Sequence, residues 1–303
     1  AILSTLANLT NHIDQIKEAI VIRDSEYLLG VFTRAKEARN HFKKMRENKS
    51  YLDPVAKTID YRAAPGGCVK GTVVVPGDKS ISHRAIIMGS IANGVTNISG
   101  FLEGEDSLAT LQAFRDMGVV IKGPDNGHVE IHGVGLNGLK APPGPLYLGN
   151  SGTSMRLLSG LLSAQSFNVE LTGDESLSKR PMDRVISPLK DMGASIEGSE
   201  GGFPPLKIRG GQTLNAIDYE LPMASAQVKS CILLAGLYSK NRTSVTEPAI
   251  TRDHTERMLS AFGSKVDREG SSISLKGLRD LEATTINVPA DISSAAFYMV
   301  AAS

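Results

Sequence analysis

The chain has 303 residues, 41% of them hydrophobic and 21% charged. That composition excludes intrinsic disorder, and the length suffices for about two domains whose cores need neither disulfides nor metal. Lys and Arg number 33 against 32 Asp and Glu, a net charge of +1, which removes the cation excess on which generic nucleic-acid binding rests.

The first helix is predicted by Leu6, Leu9, Ile13, Ile16 and Ile20, which recur at alternating spacings of three and four. Asp24 is a suitable N-cap for a second helix carrying Leu28, Val31, Phe32, Ala35 and Phe42 on one face. Lys43, Lys44, Arg46 and Lys49 close it, cations that suit a helix C-terminus or a solvated face. Residues 1–50 therefore read as a helical segment. Pro54, Pro65, Gly66 and Gly67 mark 51–70 as a linker and strand entrance. From Gly71 short β-branched runs alternate with helical stretches, the pattern of an α/β (α+β) fold. No apolar run nears the roughly 20 residues of a membrane span. The two cysteines, Cys68 and Cys231, are too few and too distant for a disulfide scaffold and fit a reducing, cytoplasmic setting.

The second region repeats itself. DMGVVI (116–121), DMGASI (191–196) and AFGSKV (261–266) each follow a helical pattern. Each is followed by a strand and a glycine: HVEIHG (128–133), PLKIRG (205–210) and SISLKG (272–277). Each is preceded by a polar strand-to-helix junction: GDKSIS (77–82), GNSGTS (149–154) and MASAQV (223–228). The period, about 70–75 residues, is too long for a solenoid. Three complete copies, each strand–helix–strand–helix–strand–strand, are expected over 71–288. The fourth junction, ADISSA (290–295), opens a truncated second domain over 289–303. The chain starts on Ala1, and AAFYMVAAS (295–303) reads as a helix without a stop signal, so a fragment of a longer protein is expected.

A helix N-terminus presents unpaired N–H groups and the positive end of a dipole, and small residues admit a ligand to the backbone. Copies arranged about a common axis would bring several such termini to one anion site. Lys79 and Arg84 belong to the first junction, Asn150 and Arg156 to the second, Gln227 and Lys229 to the third, with Arg180 and Arg252 in separate loops. A near-neutral chain with a local cationic pocket suits a small, multiply anionic substrate. Singly, GDKS and SAQVKS are ordinary turn and capping chemistry, and Asp78 stands where a P-loop needs glycine. GNSGTSMR is more specific, because Gly, Asn and Arg share one strand-to-helix turn. His128 and His132 share a strand face but lack further ligands, so no metal site is expected. His83 and His254 lack the partners of a hydrolase triad. Cys231 lies in an apolar run and reads as a packed thiol.

In order, PGDKSISHRA (76–85), LGNSGTSMRL (148–157), LTGDESLSKRPM (171–182), PMASAQVKSCILLAGL (222–237), TRDHTERML (251–259) and DISSAAF (291–297) resemble the 5-enolpyruvylshikimate-3-phosphate synthase (3-phosphoshikimate 1-carboxyvinyltransferase) family. The resemblance covers about residues 61–303. The related UDP-N-acetylglucosamine enolpyruvyl transferases fit poorly: they carry Asn where Ser80 stands, and a reactive Cys in the second repeat that this chain lacks.

The resemblance implies an enolpyruvyl transferase-like domain of three βαβαββ units. It implies transfer of the enolpyruvyl group of phosphoenolpyruvate to the 5-hydroxyl of shikimate 3-phosphate, on the route to chorismate and the aromatic amino acids, with no metal or organic cofactor. For shikimate 3-phosphate it implies Lys79, Ser80, Arg84 (on the carboxylate), Ser225, Ala226, Gln227, Thr251 and Arg252. For phosphoenolpyruvate it implies Lys79, Asn150, Gly152, Arg180 and Gln227. Ala226 replaces a family serine, so only a backbone contact would remain there. The proton-transfer groups of the family fall in its second domain, so no catalytic acid or base is assigned, and this chain is expected to bind weakly with negligible turnover. A noncatalytic phosphoshikimate-binding module is the alternative. RDSEYLLGVFTRAKEARNHF (23–42) resembles the C-terminal helical tail of prephenate dehydrogenase, which suggests a fused or docked dehydrogenase partner.

Overall fold

The computed structural model describes residues 71–302. The helical segment expected at 1–50, its likeness to a prephenate dehydrogenase tail, the linker at 51–70 and Cys68 lie outside the described residues. Gly77–Pro289 forms one compact unit, and residues 71–76 and 290–302 group apart from it.

The larger unit is built three times over. Its first copy runs α1 (Lys79–Ile91), β1 (Ala92–Ser99), α2 (Glu105–Asp116), β2 (Val120–Asp125) and β3 (His128–Val134). The second runs β4 (Leu146–Tyr147), α3 (Gly152–Leu162), β5 (Val169–Thr172), α4 (Asp183–Asp191), β6 (Ser195–Ser199) and β7 (Phe203–Arg209). The third runs β8 (Asp218–Glu220), α5 (Ala226–Gly236), β9 (Arg242–Thr246), α6 (His254–Ala261), β10 (Val266–Glu269) and β11 (Ser272–Lys276). Three open sheets result, ordered β12-β1-β3-β2, β4-β5-β7-β6 and β8-β9-β11-β10, where β12 is Leu281–Glu282 and β13 (Thr285–Asn287) also pairs with β1. In each sheet the first-named pair is parallel, as is the β1–β13 pair, and the remaining pairs are antiparallel. The mixed α/β class expected from the sequence is the observed one.

The repeated sequence blocks have a shared physical cause. Helices α2, α4 and α6 end on Met117-Gly118, Met192-Gly193 and Phe262-Gly263, with the glycines at φ of 87°, 93° and 84°. In each, the glycine N–H and the next N–H return to carbonyls of the last turn, as Gly118 to Arg115 at 2.9 Å and Val119 to Phe114 at 3.0 Å. This is the Schellman stop, which needs a left-handed residue that glycine adopts without strain. The residue before each glycine is fully buried. Asn126 and Gly127, both at positive φ, make the tight turn between β2 and β3.

One part of the repeat is not where the sequence order suggests. Residues 71–76, expected to lead the first copy as a strand, form none, and Val74 is exposed. Their place beside β1 is taken by β12 and β13, which pair in parallel from Ala92↔Leu281 to Ser99↔Asn287. A parallel neighbour can come from any part of the chain able to reach that edge, and the segment after the third copy does so.

Helices α1, α3 and α5 form the interior. Ser82 to Ile91 of α1, Val228 to Gly236 of α5 and most of α3 are buried, so these helices are apolar or small on nearly every side, with His83, Arg84 and Lys229 the buried exceptions. Close approach demands glycine at one crossing: a Cβ on Gly160 would meet the Cys231 carbonyl oxygen at 2.1 Å. The outer helices bury one stripe only, as Val185, Ile186 and Leu189 do in α4. Among the described residues no helix is long and apolar enough to cross a membrane. In the smaller group, α7 (Ile292–Ala302) follows Asp291, whose Oδ1 accepts from Ser293 N–H at 2.7 Å; Ile292, Phe297 and Met299 on this helix are exposed.

Candidate anion-binding active site

Each interior helix opens on a capped, glycine- or serine-bearing turn. Asp78 Oδ1 accepts from Ile81 N–H at 2.8 Å, Ser151 Oγ from Ser154 N–H at 3.1 Å, and Ser225 Oγ from Val228 N–H at 3.3 Å. Asp78 is thus spent as a cap, whereas a capping serine keeps its own hydroxyl proton as a donor.

Side chains tie the three openings together. Fully buried His83 of α1 lies with Nδ1 2.8 Å from Thr110 Oγ1 and 3.2 Å from Ser154 Oγ, joining the first copy to the second. Burial, then the positive charges of Lys79 and Arg84, hold its pKa down to about 3, so the ring is neutral. Gln227 of α5 accepts from Arg156 Nη1 at 2.8 Å and donates to Thr153 Oγ1 at 2.9 Å, joining the third copy to the second. Arg84 of α1 donates from Nη2 to Ser230 Oγ at 2.9 Å and from Nε to Thr255 Oγ1 at 2.6 Å, joining the first copy to the third.

Around the second opening two guanidinium groups flank one glycine. A Cβ on Gly152 would lie 2.8 Å from Arg156 Nη1 and 3.3 Å from Arg180 Nη1. Arg180 is extended ahead of Pro181 and donates to the Asn150 carbonyl at 3.3 Å and to Asn150 Oδ1; Asn150 in turn donates to Asp174 Oδ2 at 2.7 Å. Burial, then Arg180 and Arg184, pull the Arg156 pKa down. Like charges gathered in this way create a field that a bound anion relieves. Lys79 pairs with Asp106, which is buried.

Ser80 contributes its carbonyl to Arg84 Nη1 at 2.9 Å. Arg84 is only 4% exposed, and burial lowers its pKa to about 10. Three of its five N–H groups are engaged, leaving two for a ligand. Ala226 opens α5 and adds no hydroxyl. The Thr251 hydroxyl donates to Glu247 Oε1, so its one proton is committed there. Arg252 is exposed, repels Arg84 and His254, and makes no hydrogen bond or ion pair with a described residue.

Two sequence inferences change. Lys229, grouped with the pocket cations, is fully buried, with its ammonium 3.1 Å from Glu247 Oε1 and 2.6 Å from Glu256 Oε1. It faces the interior because α5 is buried on every side from Val228 onward, a fact its neighbours in sequence do not reveal. Arg156, grouped with the Gly and Asn of GNSGTSMR but given no ligand, is central to the second opening, one turn after Gly152 on the same helix face. His132 bonds Glu130 Oε1 at 2.8 Å, and among the described residues no group of three or more His, Cys, Asp or Glu gathers as a metal site would require. Cys231 is buried, and burial raises its pKa.

Repeated mixed α/β copies bring three capped helix openings and several cations together, the arrangement of a candidate anion site. A family model, EPSP synthase (3-phosphoshikimate 1-carboxyvinyltransferase), matches residues 63–303. The chain belongs to the EPSP synthase family. It is 63% identical over 245 residues to the 3-phosphoshikimate 1-carboxyvinyltransferase of Nitrosococcus oceani, covering 81% of this chain and 55% of that one. It is 61% identical over 246 residues to that of Methylococcus capsulatus, covering 81% and 56%. A solved EPSP synthase from Acinetobacter baumannii superposes with a TM-score of 0.74 at 66% identity, over 78% of this chain and 54% of that chain. The chain thus spans about half the length of the relatives it matches.

Proposed function

We propose that this protein takes part in enolpyruvyl transfer from phosphoenolpyruvate to the 5-hydroxyl of shikimate 3-phosphate, within aromatic amino acid biosynthesis in the cytoplasm. The observation that carries the reading is the glycine flanked by Arg156 and Arg180 beside the cross-tied openings of α1 and α5. In the reaction the 5-hydroxyl oxygen bonds C2 of phosphoenolpyruvate and gives up its proton, while C3 gains one. The tetrahedral adduct then loses inorganic phosphate and a C3 proton, restoring the double bond.

In this reading Lys79, Asn150, Gly152, Arg180 and Gln227 hold phosphoenolpyruvate. Lys79, Ser80, Arg84, Ser225, Ala226, Gln227, Thr251 and Arg252 hold shikimate 3-phosphate. The planar fork of Arg84 suits a carboxylate, and the point charge of Lys79 suits phosphate. The cations stabilise charge that builds up in the adduct. None of the described side chains is assigned the proton transfers. Because the chain spans about half of its relatives, binding and turnover are measured separately. Titration calorimetry is expected to show shikimate 3-phosphate binding that Lys79→Ala abolishes, with negligible phosphate release from both substrates together. Wild-type and Lys79→Ala chains with equal affinity would overturn the site. Binding without turnover in the complete protein would favour the noncatalytic module.

A further inference from the structure

We infer that Glu247 is a positioning residue of the anion site: through the Thr251 hydroxyl it clamps the loop that presents Arg252. The inference rests on the proposed shikimate 3-phosphate site. Glu247 directly follows β9, and its N–H donates to the Ser271 carbonyl at 3.0 Å, so its own backbone is fixed to the sheet. Its side chain is fully buried, and Oε1 is shared by the Lys229 ammonium and the Thr251 hydroxyl, while Arg268 Nη2 lies 3.7 Å from Oε2. A buried ammonium requires a compensating carboxylate, and Glu256 at 2.6 Å already supplies one. The second carboxylate therefore has an additional task, and its bond to Thr251 identifies it.

The loop needs such a clamp. Pro248, Ala249 and Ile250 are all exposed, Ile250 at 75%, so no apolar burial anchors them. Arg252 sits within range of Arg84 and is repelled by it. An unanchored loop would let that repulsion carry the exposed guanidinium away from Arg84. A threonine hydroxyl has one proton, and here it goes to Glu247, so Thr251 serves the site by holding its neighbour in place rather than through its hydroxyl.

The test compares Thr251→Val and Thr251→Ser with the wild-type chain, because neither disturbs the buried charges, as Glu247→Ala would. Hydrogen exchange reads protection of the 250–252 amides, and calorimetry reads affinity for shikimate 3-phosphate against shikimate. Thr251→Val is expected to lose about tenfold in protection and about tenfold in preference for shikimate 3-phosphate over shikimate. Thr251→Ser is expected to retain both. Wild-type protection in Thr251→Val, or lost protection with an intact preference, overturns the inference. A wild-type chain that does not distinguish the two ligands refutes the proposed site instead, and the exchange data still decide the clamp.

Discussion

Gln227 and Arg156, 71 residues apart in sequence, meet at 2.8 Å across the interior helices α5 and α3. The same Gln227 amide donates to Thr153, so one side chain fixes the spacing of two helix openings and the direction of one guanidinium. Gln227→Ala removes both bonds and leaves Arg156 to its electrostatic repulsion from Arg180. A loss of about 1–2 kcal/mol in urea unfolding is expected, from two modest hydrogen bonds. Phosphoenolpyruvate affinity is expected to fall at least tenfold, read by calorimetry.

Gly152→Ala tests a different property of the same place. The added methyl meets the ends of two flexible arginines, at 2.8 and 3.3 Å, and no backbone atom. The arginines move aside at little cost to the fold, so the melting temperature is expected to hold within about 2 °C. The anion between them loses its geometry, and phosphoenolpyruvate binding is expected to weaken about tenfold or more. Shikimate 3-phosphate binding is expected to change far less, which separates the two subsites in one titration.

His83 makes stability depend on pH. Its pKa is lowered in the folded chain to about 3, against 6.5 when unperturbed. The unfolded state therefore takes up the proton first as pH falls. The stabilisation is fully present above about 6.5 and is lost progressively toward 3, with a slope approaching about 1.4 kcal/mol per pH unit from this group. Urea unfolding between pH 7 and pH 4 should show that decline. His83→Gln, which stays neutral, is expected to flatten it.

Lys229→Met is expected to be the most damaging single change of the four. It removes the cation that compensates Glu247 and Glu256 in a fully buried position. Breaking a buried ion cluster from one side costs about 3–5 kcal/mol. The urea midpoint should fall accordingly. A surface lysine such as Lys179, paired only with exposed Glu175, should give a change below about 0.5 kcal/mol on the same substitution.

Much of the fold is legible along the chain because its causes are local. The Met-Gly and Phe-Gly stops of α2, α4 and α6, the serine and aspartate caps of the interior helices and the Asn126-Gly127 turn are each decided by residues within a few positions of one another. Their recurrence at a constant period reveals three copies, and small residues and cations at each junction mark the candidate anion site. Burial and partner choice are not local. Lys79 and Lys229 both follow a junction, yet one pairs with Asp106 at the site and the other is buried between two glutamates. Thr251 carries its hydroxyl proton to Glu247, and the leading strand of the first copy comes from residues 281–287. Local sequence determines where helices start and stop, because that depends on backbone groups within one turn. Only the packed structure decides which charge is desolvated and which strand completes a sheet, because both depend on what distant parts of the chain bring alongside.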